Sequence, residues 1–309
     1  MSKLLFRLLR REQRAFLGRD RQAWGDHLAR VRAFLGEGLR AADPTRPVLV
    51  LGAGSGLEVP WDLAPTWTEG WDAAPWSRAR TWLRHRRWAP WVFEDATGGL
   101  ADLEATVRRA LGEPWSHRRR DPRAAARRLA GLLPSLHPRP ASLIGWIEAH
   151  RPGTILAANL MGQFGVVAEG LVEAAFGKTS PWEEDPELPD PLAEALDAWT
   201  ARAVAAFLEA LARSGADLWL VHDRAVVFSG GRLELGPWAD DWTRQLRTDS
   251  PPLEVRDPLA GVDTRAVLAD RGLAVLHAER WSWDLAPGQR HLVEAIHARP
   301  AFFKTDSFD

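Results

Sequence analysis

The sequence predicts an α/β fold. Its core is an open, twisted, mostly parallel sheet with helices on both faces, ending in an antiparallel hairpin and preceded by a helical cap. Three observations carry this. Short apolar runs alternate with amphipathic helical patterns from about residue 48 to residue 221, the order that builds parallel sheets. The first run, Val48-Leu49-Val50-Leu51, is continuously apolar, as a strand covered on both faces requires. Gly52, Gly54 and Gly56 follow it directly, where an α/β sheet turns the chain beneath a ligand.

Residues 1 to about 43 carry a helical stripe of Trp24, Leu28, Val31, Leu35 and Leu39, stopped by Asp43-Pro44. Residues 1–44 are expected to form the cap and residues 45–309 the α/β domain. Strands are expected at 48–51, 66–71, 89–93, 154–158 and 217–221, and helices at 77–86, 100–111 and 142–150. Asp190-Pro191 is a helix start, with Asp as N-cap and Pro in the first turn. Leu192, Leu196, Trp199, Ala203, Phe207 and Leu211 then form one apolar face closed by Gly215. Residues 225–228 and 232–235 read as a hairpin around Ser229-Gly230-Gly231. Residues 274–283 and 291–298 read as a second antiparallel pair. The Arg-rich 113–140 and the acidic 178–191 are expected as surface insertions, either solvated or acting as substrate lids.

The 309 residues suit one large domain or two small ones. There is no Cys, which excludes disulfides, thiolate metal sites and cysteine nucleophiles. His27, His85, His117, His137 and His150 show no metal-ligand spacing, and no metal is expected. Forty basic against 41 acidic residues leave a net charge of −1, which gives no signal for nucleic acid. The start is basic and amphipathic without a cleavage site, and no run is long enough to cross a membrane, so a cytoplasmic location is the expectation. The 17 Trp are expected mainly in the core.

The glycine turn matches neither phosphate-binding pattern. G-x-G-x-x-G fails because Leu57 stands at the third glycine, and no Lys-Ser or Lys-Thr follows for a phosphate loop. Ser55 lacks a nucleophile elbow. Asp72 in "GWDAAP" sits at the end of the second expected strand, where a carboxylate can accept from both ribose hydroxyls. Asp95 in "FEDATG" ends the third and can reach an adenine amino group, with Glu94 as the alternative if the register slips by one.

With these residues the sequence resembles the class I S-adenosylmethionine-dependent methyltransferases, in particular a bacterial branch carrying "GAGSGLEVPWDL" and "ANLMGQ". The resemblance covers about residues 45 to 225. It implies a Rossmann-like fold, S-adenosyl-L-methionine as cofactor and methyl transfer by in-line displacement. Gly52, Ala53, Gly54 and Gly56 would line the methionine portion and ribose. Asp72, with Ala73 beside it, would hold the ribose hydroxyls, and Asp95 and Ala96 would flank the adenine. Asn159, the chain's one Asn, and Leu160 would lie beside the sulfonium, with Asn159 as the catalytic candidate. Two features depart from the family: no acid stands in residues 47–51, and Asn159 lacks the Pro-Pro-aromatic tail of amino-methylating enzymes.

Three readings stay open: a methyltransferase, an inactive protein of this fold acting through cofactor or partner binding, and an aminopropyl transferase. The last wants several acids around a polyamine, and after Asn159 none comes before Glu169. A small-molecule or anionic acceptor is conceivable from the Arg block. His222 and Asp223, expected at the end of the fifth strand, are candidates for substrate contact, His222 as a base. His291 is expected to pack at the core or rim.

Overall fold

The computed structural model describes residues 4–6, 8–10, 21–54, 56–112, 121–177, 190–228, 254–286 and 288–301. Residues 4–6 and 8–10 are helical. The elements are α1 (Arg21–Ala41), β1 (Val48–Leu51), β2 (Thr68–Trp71), α2 (Ser77–His85), β3 (Trp91–Val92), α3 (Leu100–Leu111) and α4 (Pro122–Leu132). They continue as α5 (Ala141–His150), β4 (Thr154–Ala158), α6 (Met161–Phe176), α7 (Pro191–Ala212), β5 (Asp217–Phe228), β6 (Glu254–Arg256), α8 (Thr264–Asp270), β7 (Leu273–Ala286) and β8 (Gln289–Pro300).

One sheet runs in the order β3-β2-β1-β4-β5-β8-β7, with β6 on the far half of β5. The first five strands are parallel, and β8 lies antiparallel to both β5 and β7. Val48 is level with Thr68 on one side and Thr154 on the other, and Thr154 with Asp217. The carboxyl ends of these strands therefore meet along one edge, where the strand order switches direction around β1.

Strand alternation divides the core in two. Leu49, Leu51, Ile155, Leu218 and Leu220 face a thick helical layer in which Leu103, Leu129, Leu143, Leu171 and Phe207 are buried. Val48, Val50, Leu156, Trp219 and Val221 face α1 and a tryptophan-rich surface containing Trp61, Trp281 and Trp283. The stripe expected on α1 is the buried one, with Val31, Leu35 and Leu39 in this second core and Leu28 at its edge. A Cβ on Gly38 would stand 2.7 Å from Trp219 Cγ, so α1 seats directly on the sheet.

Several expectations shift. β2 and β3 are shorter than 66–71 and 89–93. Within 113–140, α4 is no solvated excursion: Ala125, Ala126 and Leu129 enter the main core while Arg123, Arg127 and Arg128 stay exposed. Residues 113–120 and 178–189 lie outside the described residues, as does the turn and second strand expected at 229–235. β5 runs on to Phe228, so residues 217–221 and 225–228 are one strand, with a register shift between Asp223 and Ala225. β6 and α8 had no counterpart in the sequence reading. Among the described residues no helix is long and apolar enough to cross a membrane.

Candidate functional site

The aligned strand ends open into a cleft of about 1140 Å³. Gly52, Ala53, Gly54, Asp72, Ala73, Asp95, Ala96, Asn159 and Leu160 line it together. Gly56 does not, and Ser55 lies outside the described residues.

The glycines serve different purposes. All three have positive φ, from 51° to 69°, which an L side chain resists. A Cβ on Gly52 would meet Leu160 Cβ at 2.9 Å, because the turn passes close to the end of β4. At Gly54 the added atom would meet only the turn's own carbonyl at 3.5 Å, so this backbone is bare toward the cleft. Gly56 instead packs on α2, where a Cβ would stand 2.9 Å from Thr81 Oγ1. Its role is to seat the loop, not to line the cleft as expected.

Asp72 braces the turn. Its Oδ2 accepts the Gly54 N–H at 2.7 Å and its Oδ1 accepts the Ala74 N–H at 2.7 Å. Burial pushes its carboxyl above the usual range, and these two backbone donors oppose the rise. An ionised carboxylate offers about four acceptor positions, so both oxygens retain capacity for a ligand hydroxyl. Asp95 is committed differently. It accepts from the N–H groups of Thr97, Gly99 and Leu100 and from the Thr97 hydroxyl, closing the start of α3. Glu94 lines the same wall, is exposed, and has no hydrogen bond or ion pair among the described residues.

Asn159 takes a left-handed conformation at φ 49°, which Asn tolerates better than most residues. Its N–H donates to the Val221 carbonyl at 2.7 Å, extending the β4–β5 pairing past the strand. Its side chain does not cap α6. Nδ2 donates to Glu58 Oε1 and lies 3.4 Å from His27 Nε2, while Oδ1 is buried without a partner among the described residues. Trp281 Nε1 donates to His27 Nδ1 at 3.1 Å, and the His27 ring stacks on Trp283 at 4.3 Å. The helix before the first strand thus contributes to the site. The sequence signal for Glu58 was its place just after the glycines. His27 had none beyond its position on the buried stripe.

The two candidates on β5 separate. His222 is fully buried and does not line the cleft. Its Nε2 lies 3.3 Å from Thr264 Oγ1 and 3.7 Å from Glu294 Oε2, and burial lowers its pKa to about 4 despite the nearby Glu294. It is no strand-end base. Asp223 points to the opposite face and lines the cleft, where its Oδ2 is 3.0 Å from His291 Nδ1. His291, expected as packing, therefore stands in the site against Trp283.

The far wall is acidic. Glu169, Glu173, Asp197 and Asp257 line it, with Arg256 the cation beside them. Burial raises the carboxyls of Glu169 and Asp197; Arg256, 4.0 Å from Glu169, opposes the rise in both, and neighbouring carboxylates add to it. No residue of α4 lines the cleft, so its described arginines do not face a bound molecule there. No group of three or more acids and histidines among the described residues is arranged to hold a metal ion.

Sheet order and strand-end cleft together define a Rossmann-like α/β fold with an open cleft beside its glycine turn. No protein-family model matches the chain, and no curated protein matches it. Among solved structures it is similar to magnesium protoporphyrin IX methyltransferase from Synechocystis PCC 6803, determined with bound SAH. That match has 10% identity and a TM-score of 0.37, over 89% of this chain and 91% of that one.

Proposed function

We propose that the chain is an S-adenosylmethionine-dependent methyltransferase. The observation that carries this reading is the convergence on one cleft of a bare glycine turn, a carboxylate braced behind it and a strand-end amide. Gly52 to Gly54 would face the methionine portion, Asp72 the ribose, Ala96 and Glu94 the adenine, and Asn159 the sulfonium side. In this assignment Glu94 replaces Asp95 as the polar contact, because the Asp95 carboxylate is occupied by its own loop. The unpartnered Asn159 Oδ1 and the open side of Gly54 are what such a ligand would fill.

When bound, the cofactor supplies an electrophilic methyl group on a positively charged sulfur. The protein's task is then alignment: holding acceptor, methyl and sulfur in line removes most of the entropic barrier. Calorimetric titration with S-adenosylmethionine and S-adenosylhomocysteine tests the reading. Micromolar binding, weakened at least tenfold by Asp72→Ala, is expected. No binding by the folded protein would overturn it.

A further inference from the structure

Asp223 and His291 form a hydrogen-bonded pair in the cleft, apart from the residues assigned above. Both are about nine-tenths buried, at 9% and 8% exposure, and both line it. His291 Nδ1 lies 3.0 Å from Asp223 Oδ2, and its Nε2 lies 3.0 Å from the amide nitrogen of Gln289. A carboxylate only accepts and an amide N–H only donates. The ring satisfies both when Nδ1 carries the proton and Nε2 keeps its lone pair. Gln289, which also lines the cleft, then holds the place a ligand's N–H would take. Asp223 Oδ1 has no partner among the described residues, and Asp223 lines the same cleft as the four acids of the far wall.

We propose that His291, oriented by Asp223, is the base that deprotonates a cationic amine acceptor drawn in by Glu169, Glu173, Asp197 and Asp257. This rests on the methyltransferase reading and adds the acceptor class and the proton's destination. The acceptor's N–H bond breaks and its electron pair stays on nitrogen; that lone pair would form the new N–C bond as the donor's S–CH₃ bond breaks, its pair staying on sulfur and the neutral thioether leaving. The proton goes to Nε2 and from there to water. An ammonium has no lone pair to attack with, so a base is required. A carboxylate acceptor would need none, and the acidic wall would repel it.

The test uses the full-length protein saturated with S-adenosylhomocysteine. Histidine ¹⁵N spectra at neutral pH are expected to show His291 protonated at Nδ1 and bare at Nε2, with the tautomer redistributed in Asp223→Asn. Calorimetry with benzylammonium and benzoate as probes is expected to show roughly tenfold preference for the cation. That preference should be lost in Glu169→Gln/Asp197→Asn. A neutral His291 protonated at Nε2 would overturn the base assignment, and benzoate binding as well as benzylammonium would overturn the acceptor class. Failure of S-adenosylhomocysteine itself to bind would instead strike the underlying reading, so the two failures are distinguishable.

Discussion

Two histidine–carboxylate pairs lie on opposite faces of the same two strands. His222 and Glu294 are cross-strand partners within the helical-layer face, and Asp223 and His291 share the other. The first pair is closed. Glu294 accepts from Arg265 at 2.6 Å and from Arg280 at 2.9 Å, and His222 is sealed beside Thr264. The second pair opens on the cleft, which Asp223 and His291 line and His222 and Glu294 do not. The chemistry of the two pairs is almost the same. What separates them is which groups surround them, since a histidine sealed from the cleft can exchange no proton with anything bound there.

The comparison can be broken most forcefully at Glu294. Glu294→Ala leaves Arg265, Arg280 and His222 around an absent charge, and a loss of about 3–4 kcal/mol is expected in urea unfolding. A loss below about 1 kcal/mol would show that the closed pair does not anchor the sheet.

Acid should act on the same pair next. His222 titrates near 4 in the folded protein against 6.5 ordinarily. The unfolded chain therefore takes up its proton first as pH falls. The stability gained by keeping this ring neutral is complete above pH 6.5 and is lost as pH drops toward 4. The loss is about 3 kcal/mol. Burial sets the shift; Glu294, Asp223 and Asp257 oppose it and Arg224 adds to it. Denaturant midpoints across this window should flatten in His222→Gln. An unchanged slope would place the acid sensitivity elsewhere.

A smaller change sharpens the picture. Thr264→Val keeps the volume and removes the hydroxyl beside His222 Nε2, and should cost about 1 kcal/mol in the same unfolding assay. The smallest expected effect lies across the sheet. Asp223→Asn should alter stability by less than about 1 kcal/mol, because no buried Lys or Arg among the described residues pairs with it, while it changes the His291 tautomer. A loss near that of Glu294→Ala would make the cleft pair a structural element as well.

Much of the frame was legible in the chain. Residues 48–51, 100–111 and 154–158 are strand, helix and strand at the expected bounds, because continuous apolar runs and helical periodicity are local signals. Asp190-Pro191 begins α7 as a capped start should, with Asp190 Oδ1 accepting from Leu192 and Ala193. The glycine turn and Asp72 were legible for the same reason, since both sit directly after an apolar run. Gly56 was placed in the right loop but packs on α2, and Asp95 lines the cleft while closing the start of α3, because neither a carboxylate's hydrogen-bond partners nor a glycine's neighbours are written in spacing. β6 and α8 are short and bury little, with too few residues to show a period.

Sequence by itself determined the parallel order of strands, the bend after β1 and the set of polar residues at the strand ends. These follow from local pattern and from the rule that such sheets bind at their carboxyl edge. Only the tertiary structure decided which of two adjacent residues on β5 would face the cleft. Side chains alternate, so a register choice at the β5–β8 pairing, 68 residues apart in sequence, seals His222 and brings His291 to Asp223. That choice is made by hydrogen bonding between distant segments and by the packing of α1 and α8 on opposite faces, which no local pattern contains.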